Sequence, residues 1–191
     1  MTAAIVVAGG RASRLGGADK AAVDIAGRPL VDHVYAALIG CSPVVAVGPD
    51  GLARPDVVVV REEPPFGGPV AAVAAALAVL GNADQTWLLA CDLPRADRIV
   101  RRLDHEPLGD DDGVLLTDAA GRAQWLAGRY RVAALRGALA AIGDPDGASM
   151  RRLLRGLRLR EVPDLDDASI DLDTPDDIRT YLSTIEGDAH E

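Results

Sequence analysis

The chain is short of aromatic side chains, of thiols, of cations and of long apolar runs, and each shortage removes a class of explanation. Two tryptophans, three tyrosines and one phenylalanine are all the aromatics in 191 residues, a poor platform for stacking the bases of single-stranded nucleic acid. Twenty Lys and Arg face 29 Asp and Glu, a formal charge of -9. A nucleic-acid binder needs a basic face to displace counterions from phosphates, so that partner class is excluded. Any anionic ligand requires cations concentrated locally. Cys41 and Cys91 show no CxxC spacing, which indicates neither a zinc site nor a disulfide framework and points to a reducing cytoplasm. His33, His105 and His190 share no spacing and are read as surface or internally satisfied residues. The longest nearly pure apolar run, residues 69–80, is twelve residues long, where a membrane span needs about 20. The N-terminus lacks the basic region and cleavage site of a secretory signal, so neither a span nor an anchor is expected.

What remains is the composition of an ordinary soluble globule, 49% apolar and 26% charged. The length suits one domain, expected over residues 1–186 with a frayed tail at 187–191. Short apolar runs at 3–8, 44–48, 56–60, 86–91, 113–117 and 126–131 read as strands. Their near-continuous hydrophobicity is that of strands covered on both faces. Helical patterns lie at 29–39, 68–80, 96–106, 132–142, 148–156 and 175–185. Strands alternating with helices predict an α/β fold, a three-layer Rossmann-like arrangement with a mainly parallel sheet and helices on both faces. The helix at 68–80 is almost entirely Ala, Val and Leu, a composition expected of a helix buried all round.

Directly after the first strand comes VVAGGRASRLGGADK, residues 6–20. A P-loop needs GxxxxGK[ST], but Gly10 to Gly16 is one residue too long and Lys20 follows Asp19. The dinucleotide fingerprint GxGxxG is missing as well. The stretch still places flexible glycines, Arg14 and Lys20 at the carboxyl end of a strand, where open α/β sheets bind ligands. Bare amides and fixed cations there suit a phosphate chain. The plainer reading is a surface loop with solvated cations.

This AGG-x(3)-R-[LM]-G-G-x-D-K pattern is similar to the signature loop of molybdenum cofactor guanylyltransferases, within the nucleotidyltransferases that activate sugars and cofactors. The resemblance implies that Ala8, Gly9, Gly10, Arg14, Gly16 and Lys20 contact the nucleotide, with Arg14 and Lys20 on its phosphates. Gly9 favours guanine, since cytidylyltransferase relatives tend to carry Ala-Ala-Gly there.

Three further blocks follow in order. REEPPFGGPVAAV, residues 61–73, resembles the segment that leads into the family's Gly-Pro-Leu-Ala-Gly helix start, which implies base contacts at Glu62 or Glu63 and at Gly68. A proline-capped core helix explains its glycine and proline equally well. WLLACDLPRAD, residues 87–97, runs an apolar strand into Asp92, which reaches the same sheet edge as the glycine loop if the two strands are parallel. A hard cation such as Mg²⁺ takes one or two carboxylates with phosphate oxygens and waters, and the family pattern assigns Asp92 to the metal; a simple turn-capping aspartate is the alternative. In SIDLDTPDDI, residues 169–178, Thr174, Pro175 and Asp177 form a helix-start signal. Asp171 and Asp173, two apart on an extended segment, point the same way. They stand where the family has an Asn pair near the second substrate or the metal. GRAQWLAGRY, residues 121–130, resembles a Gln-Pro segment on the pterin side, with Gln124 a second-substrate candidate and Trp125 in the place of proline. The arginine-rich run 150–160 is read as a solvated helix face, with a pterin phosphate as its other possible partner.

The reaction implied by the resemblance moves GMP from GTP to the phosphate of molybdopterin, metal-free or molybdenum-loaded, and releases pyrophosphate. Arg14, Lys20 and Asp92 are the expected catalytic residues, with Mg²⁺ on Asp92. Cofactor-insertion and target molybdoenzyme proteins are the macromolecular partners it suggests. A phosphomonoester has a second pKa of about 6, so the nucleophile is already dianionic near neutrality and no catalytic histidine is required. Transfer of CMP to the same pterin, activation of another phosphorylated metabolite, and a non-catalytic nucleotide-binding module are the rival readings.

Overall fold

Apolar side chains on both sides of a strand require two layers of cover. In the computed structural model, which describes residues 1–8 and 20–188, that cover comes from helices on either face of a seven-stranded sheet. The strands are β1 (Thr2–Val7), β2 (Asp24–Ile25), β3 (Arg28–Pro29), β4 (Val44–Val47), β5 (Val57–Val60), β6 (Gln85–Ala90), β7 (Gly113–Thr117), β8 (Ala123–Arg131) and β9 (Leu159–Pro163). The helices are α1 (Leu30–Ala37), α2 (Pro69–Val79), α3 (Ala96–Asp104), α4 (Val132–Ile142), α5 (Met150–Leu154) and α6 (Pro175–Asp188). The sheet order is β5-β4-β1-β6-β8-β7-β9, with β2 and β3 forming a separate small hairpin.

Strands β5, β4, β1 and β6 are mutually parallel; β8 runs against both β6 and β7, and β9 is parallel to β7. The pleat divides β1 between two cores. Ala4 and Val6 face α1 and α3 through Val31, Val34, Ile99 and Leu103. Ala3, Ile5 and Val7 face α2, α4 and α5 through Val73, Leu77, Leu135 and Leu153. A third, smaller cluster joins Ile25 and Leu30 to Leu172 and Tyr181 of the C-terminal segment.

The six expected strands and six expected helices are present, with ends shifted by a few residues. Helix α2 departs from expectation because Val70, Val73 and Leu77 are buried whereas Val79 is 48% exposed. It is apolar all round but not covered all round, with Ala78 and Val79 open to solvent. Helix α5 ends at Leu154 and the chain re-enters the sheet as β9, so the arginine-rich run is not one helix face. Arg160 is on that edge strand, paired with Asp111 at 2.7 Å, which accounts for its charge without a phosphate. Helix α6 continues to Asp188, two residues into the expected tail. His33 is satisfied by the Ile25 carbonyl at 3.0 Å. No helix of the described residues is long and apolar enough to cross a membrane.

Two glycines give opposite tests of this packing. A Cβ on Gly128, in β8, would meet the Val114 carbonyl oxygen at 2.8 Å and Leu115 Cβ at 2.9 Å. Backbone cannot yield cheaply, so Gly128→Ala is expected to cost about 1–3 kcal/mol. Gly137 in α4 has nothing within 4 Å of such a Cβ, and Gly137→Ala is expected to stabilise by roughly 0.5–1 kcal/mol. Urea unfolding of both variants checks the signs, and equal effects would contradict the packing described.

Candidate functional site

Parallel strands place all their carboxyl ends on one rim, and hydrogen bonds carry the ladder past the formal strand ends. Ala8 N–H donates to the Val47 carbonyl at 2.9 Å, Gly48 N–H to Val60 at 3.0 Å and Cys91 N–H to Val7 at 3.0 Å. Ala8 and Asp92 therefore leave adjacent strands at the same edge. Gly9, Gly10, Arg14 and Gly16 lie outside the described residues. The loop re-enters at Lys20, which opens a single 3-10 turn pinned by buried Ala21.

The Lys20 ammonium forms hydrogen-bonded ion pairs with both Asp92 and Asp173. Burial works against its charge, but the two carboxylates outweigh that and raise its pKa above the ordinary lysine value. Asp92 is held by its neighbours: Cys91 and Leu93 are buried on either side, and its own backbone carbonyl accepts the Leu172 N–H at 3.2 Å. That bond stitches the C-terminal segment to the sheet edge. Leu172 is fully buried against Ile25, Leu30 and Tyr181, so alternation turns Asp171 and Asp173 back toward Asp92.

The segment is fixed from its other end by a reciprocal cap on α6. Asp177 accepts from Thr174 N–H and Oγ1, both at 2.7 Å, while Asp177 N–H donates to Thr174 Oγ1 at 3.2 Å. Hydrogen bonds from Thr174 hold the Asp177 carboxyl below its usual pKa. Thr174 and Asp177 are thus structural, and Asp171 and Asp173 supply the charge.

Asp92, Asp171 and Asp173 each offer a carboxylate oxygen within 4.8 Å of the others. Asp171 has a raised pKa, first through lost solvation and then through the negative charges of Asp92 and Asp173. Asp92 Oδ1 is buried with no hydrogen-bond partner among the described residues. Three carboxylates around one ammonium, one of them with an orphaned oxygen, are a donor set suited to a hard divalent cation.

The sequence left Asp171 and Asp173 beside either the second substrate or the metal, and the structure brings both together with Asp92 and Lys20. The other candidates are placed less directly. Glu62 is turned inward, where its carboxylate accepts the Phe66 N–H at 3.2 Å and braces the loop after β5. Glu63 is exposed. Gly68 caps α2 with φ of 90°, a left-handed conformation that favours glycine, and the amide of Gly147 docks on the neighbouring Gly67 carbonyl at 2.8 Å.

Beside the carboxylates opens a cavity of about 260 Å³, reached by Asp92 and Asp171 and walled by Gln124, Trp125, Leu126 and Met150. Gln124 lines it, but its amide also donates to Asp118 at 3.1 Å within the β7–β8 turn. Leu126, Met150 and Ser169 were not foreseen. Their cue was weak: Trp125 interrupts an otherwise unremarkable strand pattern, and Met150 hides in the arginine-rich run.

Comparison with known proteins places the chain in a family. Residues 4–162 match the family model of the MobA-like NTP transferase domain. Molybdenum cofactor guanylyltransferase of Pseudomonas putida (strain GB-1) is 39% identical over 103 residues, which is 50% of this chain and 52% of that protein. The chain thus spans about half the length of the curated relatives it matches. Among solved structures, a nucleotidyl transferase from Methanothermobacter thermautotroptrophicus covers 96% of this chain and 97% of its own, with a TM-score of 0.75 at 20% identity. Molybdopterin-guanine dinucleotide biosynthesis protein A from Archaeoglobus fulgidus gives 0.70 at 21% identity, covering 98% and 100%. Those two likenesses establish the fold, and the extent of the family match decides the membership: the chain belongs to the MobA-like NTP transferase domain family.

Proposed function

We propose that this protein is a molybdenum cofactor guanylyltransferase, moving GMP from GTP to the terminal phosphate of molybdopterin with release of pyrophosphate. The observation that carries the proposal is the meeting of Lys20, at the end of the glycine loop, with Asp92 and Asp173 at the rim. The name of the Pseudomonas putida relative and the Ala-Gly-Gly start of the loop support guanine.

An oxygen of the acceptor phosphate attacks the α-phosphorus of GTP, and the bond to the β-phosphate oxygen breaks, leaving its electron pair on pyrophosphate. The acceptor is already dianionic near neutrality, so the chain has no proton to remove. Its task is to align two polyanions and to offset charge. Lys20 reaches the phosphates by exchanging a carboxylate partner for a phosphoryl oxygen, and Arg14 joins it from the glycine loop. Asp92, with Asp171 and Asp173, would hold Mg²⁺, which supplies positive charge to the α-phosphate and the leaving group when bound. Gly68 and the first amides of α2 face the base side, and the cavity beside Asp171 receives the acceptor.

Nucleotide choice is read by thermal unfolding with Mg²⁺. A hundredfold excess of GTP over its Kd is expected to raise Tm by about 5–10 °C for a chain of this size, with CTP giving less. Greater protection by CTP overturns the guanine assignment. For the catalytic role, Asp92→Asn is expected to weaken GTP binding by less than about tenfold and to lower turnover by on the order of a thousandfold. Turnover at the wild-type level would remove Asp92 from the site. Pyrophosphate release from GTP and molybdopterin tests the reaction itself; wild-type protein that binds GTP but releases none is a binding module.

A further inference from the structure

The pairing of β8 with β7 is interrupted where it passes the site. Its pairing with β7 steps from Gly128 opposite Leu115 directly to Gln124 opposite Leu116, so residues 125–127 have no partner in β7. A bulge of this kind re-aims side chains at the edge of a site. The surroundings hold it in place. Tyr130, fully buried, donates its hydroxyl hydrogen to the Trp125 carbonyl at 2.8 Å, and Gly128 admits no side chain between Val114 and Leu115.

The bulge carries Trp125, which lines the cavity that Asp92 and Asp171 also reach. Trp125 is half-buried, packed on the core cluster that contains Met150. The second tryptophan, Trp87, is buried beneath the Arg129 guanidinium, 5.3 Å from the ring centre, so its indole is committed to the core. Trp125 is the tryptophan that lines the cavity.

We infer that Trp125 selects the acceptor, its indole stacking on a flat conjugated ring whose attached phosphate reaches the Asp92–Asp171 end of the same cavity. An indole gives a large contact surface while ordering few torsions, and stacking on it tolerates any planar heterocycle. A polyhydroxylated sugar phosphate would leave its hydroxyls against Trp125, Leu126, Ala127 and Met150, where unmade hydrogen bonds penalise binding. This inference rests on the proposed transfer reaction and assigns its acceptor specificity to a residue.

The test compares wild type, Trp125→Leu and Trp125→Phe with molybdopterin and with glucose 1-phosphate. Titration of tryptophan emission with molybdopterin reads binding without turnover. Strong quenching is expected in wild type and its loss in Trp125→Leu, where Trp87 is the remaining emitter. In turnover, Trp125→Leu is expected to raise the KM for molybdopterin by about tenfold or more, with Trp125→Phe close to wild type and discrimination against glucose 1-phosphate reduced. The Tm shift given by GTP with Mg²⁺ is expected to be the same in all three proteins. Persistent quenching in Trp125→Leu, an unchanged KM, or an equal loss of the GTP shift overturns the inference. A wild type that shows quenching but no transfer overturns the proposed reaction and leaves the aromatic wall standing.

Discussion

One ammonium among three carboxylates is the constraint around which this rim is organised. Lys20 touches Asp92 and Asp173, which are 72 and 153 residues away in the chain, and Asp171 lies within the same cluster. Lys20 offsets part of that negative charge. Clustered carboxylates can lower their energy by protonation, which lost solvation first and then the charges of Asp92 and Asp173 favour at Asp171, or by gaining a cation. In the proposed reaction a polyanionic substrate that brings its own divalent ion would meet the second need, which favours a metal-nucleotide complex over a bare nucleotide.

Each member of the cluster is delivered by a different structural device. The parallel pairing of β1 and β6 puts Ala8, the residue before the glycines, and Asp92 on one edge. The buried Leu172, hydrogen-bonded to the Asp92 carbonyl, sets the facing of its two acidic neighbours. The Thr174–Asp177 cap then fixes where that segment stops and α6 begins. The reversed strand adds the remaining wall. Because β8 runs against β6, with Ala127 opposite Leu89, its N-terminal half stands at the rim where β6 ends. A parallel strand in that place would bring its C-terminal residues there, and the bulge at 125–127 would lie elsewhere.

The parts legible in the sequence are those governed by local pattern. Near-continuous apolar runs identified β1 and β6 and their cover on both faces, and the one-residue gap between Asp171 and Asp173 gave their common direction. The capping box at Thr174 was readable from three residues. Long-range effects were not. Strand β9 is hidden because the arginine-rich run that leads into it looks like a solvated helix face, whereas Arg160 is neutralised by Asp111, a partner 49 residues away. The covered side of α2 cannot be read from Ala, Val and Leu alone, since the pattern has no polar stripe to mark water. The union of Asp92 with Asp171 and Asp173 depended on a hydrogen bond between Leu172 and a distant carbonyl, and the aim of Trp125 depended on a bulge that no residue nearby announces.

The Asp pair also bears on how tightly Lys20 is held before substrate arrives. Asparagine at 173 would accept a hydrogen bond from the ammonium but would not pair its charge, and charge-assisted bonds are roughly twice as strong as neutral ones. With aspartate, Lys20 is locked in the rim at a defined position, and desolvation is shared between partners of opposite sign. In the proposed reaction this lock must open, because Lys20 cannot face Asp173 and a triphosphate with full strength at once. The exchange is nearly balanced if the released carboxylate takes the incoming cation while the ammonium takes the incoming phosphate. In the proposed reaction, nucleotide arriving without the metal would break one ion pair of Lys20 with no cation to take its place beside the carboxylates, so the acidic pair that steadies Lys20 would favour nucleotide that brings a divalent ion.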